Sequence, residues 1–390
     1  MKIAVVCDSF KGSLTSKDAC AAVKDGLLRC NKNFEVLSLP FADGGEGTSR
    51  CFYDILGGQL RKAAVHDPLL REITAEYTVL PDGTAVIDVA SASGLTLLKS
   101  SERDAVKGSS FGSGELICNA AEHGAKHIIL GLGGSATTDA GTGILYALGM
   151  RFFSENGVEV LPDGQNMIRV KKIRRTENFE RFKDIKFTLA CDVTNPLCGE
   201  NGAAYVFSPQ KGASKNDVKL LDDGLRNIGE IFEKASGKKI INLPGAGAAG
   251  GIGGGLSAFL NCELQSGFDV LARAASLEDK IRRSDAVITG EGKTDRQTLF
   301  GKLPKRVSDI AEKFGVPCIL LSGDVENDIS AEKLGVCEIH KIKENGISLE
   351  HCMKNAASLL SERAFAIGKD SKIINKQYSR KQEKIRENER

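Results

Sequence analysis

Tryptophan is absent from the chain, and aromatic residues make up only 6% of its 390 positions. Stacking platforms for single-stranded nucleic acid are therefore not expected. No charge of one sign dominates. The formal net charge is +2 with 27% charged residues, so neither an acidic polymer nor nucleic acid is implied as a partner. Histidine is scarce, and His66, His123, His127, His340 and His351 form no ligand-spaced cluster, which argues against zinc. The 11 cysteines contain no CxxC pair and are odd in number. They do not read as a secreted disulfide framework but as free thiols in a reducing cytosol. Cys7, Cys191 and Cys318 lie in apolar runs, where cysteine packs as a small hydrophobe. No apolar run approaches membrane-spanning length, and the first one becomes polar at Asp8. A soluble cytoplasmic protein is expected.

Glycine is abundant where proline is not, at 43 against 9. The glycines cluster at 44–47, 131–134, 141–143, 245–255 and 290–292, between apolar runs. Such clusters mark backbone that turns tightly or approaches something closely. The first region reads as a strand over 3–7, a helix over 17–28 capped by Thr15 or Ser16, and a strand over 34–39. The last third repeats this pattern with strands over 286–289 and 317–321 around a helix over 303–314. These are βα units and predict a parallel sheet with helices on both faces. Residues from about 70 to 280 differ, with extended segments at 75–80 and 84–90 and a helix over 217–235 that places Asp222 and Asp223 on a solvated face. The reading is an α/β domain of residues 1–70 and 281–368, a second α/β domain inserted at 71–280, and a charged tail at 369–390.

Two familiar patterns fail. Gly245, Gly247 and Gly250 match the dinucleotide GxGxxG spacing, but a half-polar run precedes them and further glycines follow. Gly290, Gly292, Lys293 and Thr294 resemble the end of a phosphate-binding Walker loop, but Val287 stands where its first glycine is required. What is left is a series of polar, glycine-bearing loops, each after a short apolar strand, at 8–13, 42–48, 131–139, 191–196 and 289–295. Loops at strand C-termini converge in open α/β sheets. Here they would assemble carboxylates, Lys11, Lys293 and many backbone N–H donors, which is the inventory phosphoryl transfer needs. Any one of these residues alone also reads as a helix cap or turn former. The case rests on the number of loops.

Taken in order, the segments DSFKGSLT, FADGGEGT, GLGGSATTDAG, ACDVTNPLCGENGAAYVFSPQKGAS, PGAGAAGGIGGG and TGEGKTDRQTLFGK resemble the bacterial-type glycerate kinase family (glycerate kinase type 1) along nearly the whole chain. The resemblance implies a discontinuous flavodoxin-like parallel-sheet domain with a second α/β domain inserted and the site between them. It also implies ATP and Mg²⁺, with glycerate as the small-molecule partner and 2-phosphoglycerate as the product. Neither nucleic acid nor membrane is expected as a partner, and a homodimer stays open. The catalytic candidates are Lys11, Asp192 and Asp295. Candidates for holding substrate or phosphate are Asp8, Ser9, Asp43, Glu46, Gly133, Gly134, Ser135, Asn195 and Lys293. Asp192, Glu291 and Asp295 are the metal candidates. The chain departs from the family in having Leu70 in its DPLLR segment, where the family has glycine, and Thr138 and Ala140 in SATTDAG, where the family reads SATNDGG. The alternatives are a kinase for another small hydroxy acid or polyol, or a non-catalytic phosphometabolite-binding protein.

Overall fold

The computed structural model describes residues 1–42, 44–344 and 346–379. The chain opens with β1 (Lys2–Cys7), the helix Ser16–Cys30 and β2 (Glu35–Pro40). Thr15 is the N-cap of that helix and accepts the Asp18 N–H at 3.1 Å, satisfying one of the orphan donors of the first turn. Next come β3 (Gln59–His66), β4 (Glu72–Val79), β5 (Ala85–Asp88), β6 (His127–Gly131), β7 (Met150–Phe153), β8 (Lys172–Arg175), β9 (Lys186–Ala190) and β10 (Asn261–Gln265). The last part contributes β11 (Ala286–Gly290), β12 (Lys293–Thr294), β13 (Cys318–Ser322), β14 (Asp324–Val325) and β15 (Glu338–Lys341).

Two compact units result, one of residues 1–42 and 271–390, the other of residues 43–270. The sequence reading placed these divisions at 70/71 and 280/281. Residues 44–70 instead belong to the inserted unit, because β3 pairs antiparallel with β4 along its whole length, from Gln59 opposite Val79 to His66 opposite Glu72.

Among the described residues, the first unit has a five-stranded sheet in the order β15-β13-β11-β1-β2. Every pairing in it is parallel. Counted within the unit, this is the 2-1-3-4-5 order of the flavodoxin-like fold. Its three central strands, β1, β11 and β13, are buried and read as largely apolar runs, as expected for a covered parallel sheet. The helices Ser16–Cys30 and Ala356–Asp370 pack on one another so closely that a Cβ on Gly26 would lie 2.0 Å from the Ser361 carbonyl oxygen. Ile374, in the charged tail, is fully buried in this unit's core, and residues 380–390 lie outside the described residues.

The inserted unit has a sheet in the order β10-β9-β6-β5-β4-β3, parallel from β10 to β5 and antiparallel beyond. Its longest helix, Lys215–Ser236, starts at a Ser214 and Asp217 capping box and stops at Gly237 in the left-handed conformation. Asp222 on that helix is buried, contrary to the solvated face expected for it, and its Oδ1 accepts the Gly199 N–H at 2.7 Å. Helical periodicity placed Asp222 beside exposed Asp223 and could not reveal that a loop amide covers it.

Two departures from the family pattern now have a backbone meaning. Leu70 has φ +61° and Ala140 has φ +53°, both left-handed. A left-handed backbone costs an L-residue about 1–2 kcal/mol, whereas glycine adopts it freely and loses about 0.5–1 kcal/mol of chain entropy elsewhere. Leu70 is also half exposed, so little packing offsets its strain. Leu70→Gly should therefore stabilise the chain by about 0.5–1 kcal/mol. An unchanged or lower urea midpoint for this variant would show that the leucine side chain contributes more than its conformation costs.

Candidate active site

The strand order of the first unit reverses direction between β1 and β11, where Cys7 lies opposite Gly290. Open α/β sheets bind ligands outside the carboxyl ends of the strands at such a point. Asp8 follows β1, its N–H donating to the Gly290 carbonyl at 2.9 Å and its Oδ1 accepting the Ser9 N–H at 2.6 Å. The chain then folds back, with the Ser13 and Leu14 N–H groups both donating to the Phe10 carbonyl. Lys11 stands exposed in this turn, and its ammonium has no hydrogen-bond or ion-pair partner among the described residues.

The loop after β11 lies directly against this turn. A Cβ on Gly292 would come 3.1 Å from Phe10 Cα, one on Gly290 would come 2.2 Å from the Leu321 carbonyl oxygen, and one on Gly323 would come 2.1 Å from the Gly292 carbonyl oxygen. Glu291 is buried in this packed loop and accepts the Thr298 hydroxyl at 2.6 Å. Burial pushes its carboxyl above the ordinary range, although Thr298 and Lys302 act against the shift. Asp295 caps the helix Arg296–Leu299 by accepting the Gln297 N–H at 2.9 Å, and Lys302 Nζ reaches the same oxygen at 3.1 Å. Burial raises the Asp295 carboxyl, but Lys302 and the helix amides outweigh it, so the net shift is downward and the group is ionised at neutral pH. Lys293 is exposed and pairs with Glu326 at 2.8 Å.

In the inserted unit the ends of β5, β6 and β9 form a row, with Asp88 opposite Gly131 and Gly131 opposite Ala190. The 44–47 loop lies across this row. Gly133 donates its N–H to the Gly44 carbonyl at 3.0 Å, and a Cβ on Gly133 would come 2.5 Å from Gly45 Cα. The Gly133 amide is thus spent on the loop. Gly134 is exposed with φ +80°, and its carbonyl accepts the Leu95 N–H at 2.9 Å. Ser135 is buried and its Oγ accepts Lys211 Nζ at 2.9 Å. Glu46 accepts the Thr96 hydroxyl at 3.3 Å, and Asp43 lies outside the described residues. Past β9, Asp192 is exposed, while Asn195 Nδ2 donates to the Asn201 carbonyl at 2.8 Å and its own carbonyl accepts the Gly247 N–H at 3.0 Å.

The expected residues thus fall into two groups, one in each unit. Asp8, Ser9, Lys11, Glu291, Lys293 and Asp295 gather around β1 and β11, and Glu46, Gly133, Gly134, Ser135, Asp192 and Asn195 around β5, β6 and β9. Of the metal candidates, Glu291 and Asp295 share a loop, whereas Asp192 belongs to the other unit. Among the described residues, no set of three or more His, Cys, Asp or Glu side chains converges as a metal site.

The profile of the glycerate kinase family matches residues 3–372. The chain belongs to the glycerate kinase family. It is 38% identical to glycerate kinase of Halalkalibacterium halodurans over 93% of this chain and 96% of that protein. It is 41% identical to glycerate 2-kinase of Escherichia coli over 84% of this chain and 87% of that protein. A crystal structure assigned to glycerate kinase 2 of Salmonella typhimurium LT2 superimposes with a TM-score of 0.83 at 35% identity, over 94% of this chain and 97% of that one.

Sequence reasoning missed several buried groups of this glycerate kinase family member. Asp88 is buried at the end of β5, where its carboxylate accepts the Gly47 N–H at 2.9 Å and the Ser49 N–H at 3.0 Å. It thereby fixes the glycine loop to the sheet and starts the helix Thr48–Leu56. Burial pushes its carboxyl up to about 7, against the opposing pull of the two amides. Asp139, fully buried, accepts N–H groups from Ser110, Gly141 and Gly143. The signal for Asp88 was an acidic residue closing an apolar strand, which the reading passed over as part of an extended segment.

The folded chain holds the Asp88 proton more tightly than the unfolded chain does. Stability from this group is complete below the ordinary carboxylate pKa and is lost as the pH rises toward about 7. Asp88→Asn does not titrate. Its stability relative to the parent should therefore improve as the pH is raised from about 4 to about 8. Parallel denaturation curves at every pH would mean that the carboxylate is ionised throughout.

Proposed function

We propose that this glycerate kinase transfers the γ-phosphoryl group of ATP to the 2-hydroxyl of D-glycerate, releasing ADP and 2-phosphoglycerate. The observation that carries the reading is that the loop after β1 holds an exposed Lys11 with no partner among the described residues, while the loop after β11, the neighbouring strand at the switch point, holds an ionised Asp295. Phosphoryl transfer is accelerated chiefly by positioning and by charge that meets the transferring group, and Lys11 carries that charge on a short, internally bonded turn. The 2-position follows the E. coli relative, a glycerate 2-kinase at 41% identity.

Within this reading Asp8 and Ser9 bind substrate beside Lys11, and Lys293 would reach substrate only by giving up its pairing with Glu326. In the inserted unit, Gly134 and Ser135 present the polar edge of the 131–139 loop to an anionic group, with Glu46 and Asn195 at its sides. Gly133 acts by seating that loop rather than by donating to phosphate, since its N–H is taken. Asp192 is the exposed carboxylate assigned to receive the alcohol proton.

Mg²⁺, when bound, would neutralise the nucleotide phosphates. Hard oxygen ligands suit it, and it takes one or two carboxylates while keeping waters. Asp295 fits this need because it is held ionised on a helix cap. Glu291 fits less well, being buried and engaged by Thr298. Cytoplasmic action agrees with the 11 cysteines, all of them free thiols.

Lys11→Ala should lower kcat by about two orders of magnitude or more, with the fold retained because the side chain is exposed. ADP formation with glycerate measures this, and phosphorus NMR of the product distinguishes the 2- from the 3-ester. An unchanged kcat would remove Lys11 from the chemistry. Asp295→Asn should raise the Mg²⁺ concentration needed for half-maximal rate by about tenfold or more. Retention of the parent's Mg²⁺ dependence would move the metal elsewhere.

A further inference from the structure

Lys211 is only 2% exposed and has no carboxylate hydrogen-bonded to it. Its Nζ donates to Ser135 Oγ at 2.9 Å and to the Thr137 carbonyl at 2.6 Å, both in the glycine loop after β6. Asp139 is the charged group acting on it, yet the carboxylate of Asp139 is spent on Ser110, Gly141 and Gly143. Desolvation lowers the ammonium to about 7.

The fold goes to some length to put this lysine there. Lys211 ends the short turn Pro209–Lys211, and the Ser208 and Thr138 hydroxyls join at 2.9 Å to tie the turn to the same loop. Gly212 follows with φ +95°, and a Cβ on it would come 2.3 Å from the Arg103 carbonyl oxygen. A buried charge facing neutral partners is a poor stability device, since an apolar side chain of equal size would serve packing better. It is useful where negative charge arrives. Ser135 Oγ accepts from Lys211, so its own proton is directed elsewhere, and it has no acceptor among the described residues. Its neighbour Gly134 is exposed.

We propose that Lys211 is a positioning residue for the kinase reaction: through Ser135 Oγ it aims a hydroxyl donor, backed by its own positive charge, at an oxyanion of the substrate arriving at Gly134 and Ser135. The oxyanion is a nucleotide phosphate or the glycerate carboxylate. The inference rests on the kinase reading above, and ADP formation by the parent enzyme tests that reading separately.

The test is steady-state kinetics of the parent, Lys211→Met and Ser135→Ala, varying ATP and glycerate in turn. Both variants should raise the KM of the same substrate about tenfold or more with a smaller change in kcat, and the substrate affected identifies the oxyanion. Lys211→Met should be as stable as the parent or more so, because it removes a buried charge. In the parent that KM should rise as the pH passes upward through about 7, where Lys211 loses its proton, and this rise should vanish in Lys211→Met. If Lys211→Met does not fold, Ser135→Ala and the parent's pH profile decide. An active parent whose two KM values are flat with pH, together with a Ser135→Ala variant that keeps both, overturns the proposal. So does a Lys211→Met variant that loses stability and keeps the parent's kinetics.

Discussion

The Gly133 N–H bonded to the Gly44 carbonyl at 3.0 Å sets the terms for the inserted unit. That bond forms only where two main chains lie in contact, and neither partner can carry a side chain. A Cβ on Gly133 would meet Gly45 Cα at 2.5 Å, and one on Gly44 would meet the Ala190 carbonyl oxygen at 2.9 Å. The contact draws the 44–47 segment onto the carboxyl ends of β6 and β9. Gly134 follows exposed, and Ser135 after it is buried against Lys211. The glycine-rich 245–255 segment extends the same principle from behind. A Cβ on Gly250 would lie 2.0 Å from the Thr137 carbonyl oxygen, and one on Gly255 would lie 1.9 Å from that of Ala140. The GxGxxG spacing there marks a backing for the loop, where close approach is the whole requirement.

The first unit solves the same problem in a different way. Its loops are also seated by glycine contact, at Gly290, Gly292 and Gly323, but the sheet there is wholly parallel and its strand order reverses between β1 and β11. A side chain on these loops can stay in solvent, as Lys11 does, while the loops are held by backbone. In the inserted unit the charged side chains that hold the loops, Asp88 and Lys211, are buried instead. Both have their ionisation moved toward neutrality by desolvation, the carboxyl upward and the ammonium downward.

What the sequence made legible follows from this division. Apolar runs and capping residues located β1, β11, β13 and the helix Ser16–Cys30 to within a few residues, because local chemistry alone decides those elements. The glycine clusters pointed to loops whose backbones pack against one another. They could not say which amides remain available, and Gly133 proved to be spent on Gly44. Lys211 was illegible for a plainer reason, and Asp88 carried only the weak sign of an acidic residue closing an apolar strand. A single carboxylate or lysine reads as a surface residue until tertiary contacts bury it. The domain boundary was misplaced because β3 gives no local sign of the sheet it joins. Leu70 and Ala140 show the reverse case. The departure was visible as a missing glycine, but its meaning needed a φ angle.

The carboxylates of Glu291 and Asp295 show how far a single loop can separate like groups. Both belong to the segment after β11, yet the first is raised by burial and the second lowered by Lys302 and the helix amides. Environments that drive two carboxyls apart assign them different work. Glu291, held by Thr298, ties the loop to the start of the helix that Asp295 caps. Its main-chain carbonyl accepts the Gly323 N–H at 3.0 Å, fastening that loop to the end of β13 as well. Asp295 can then keep a full charge at the rim without having to hold the backbone by itself. A loop built with only one of these carboxylates would have to choose between being fixed by a buried side chain and carrying a charge at its surface.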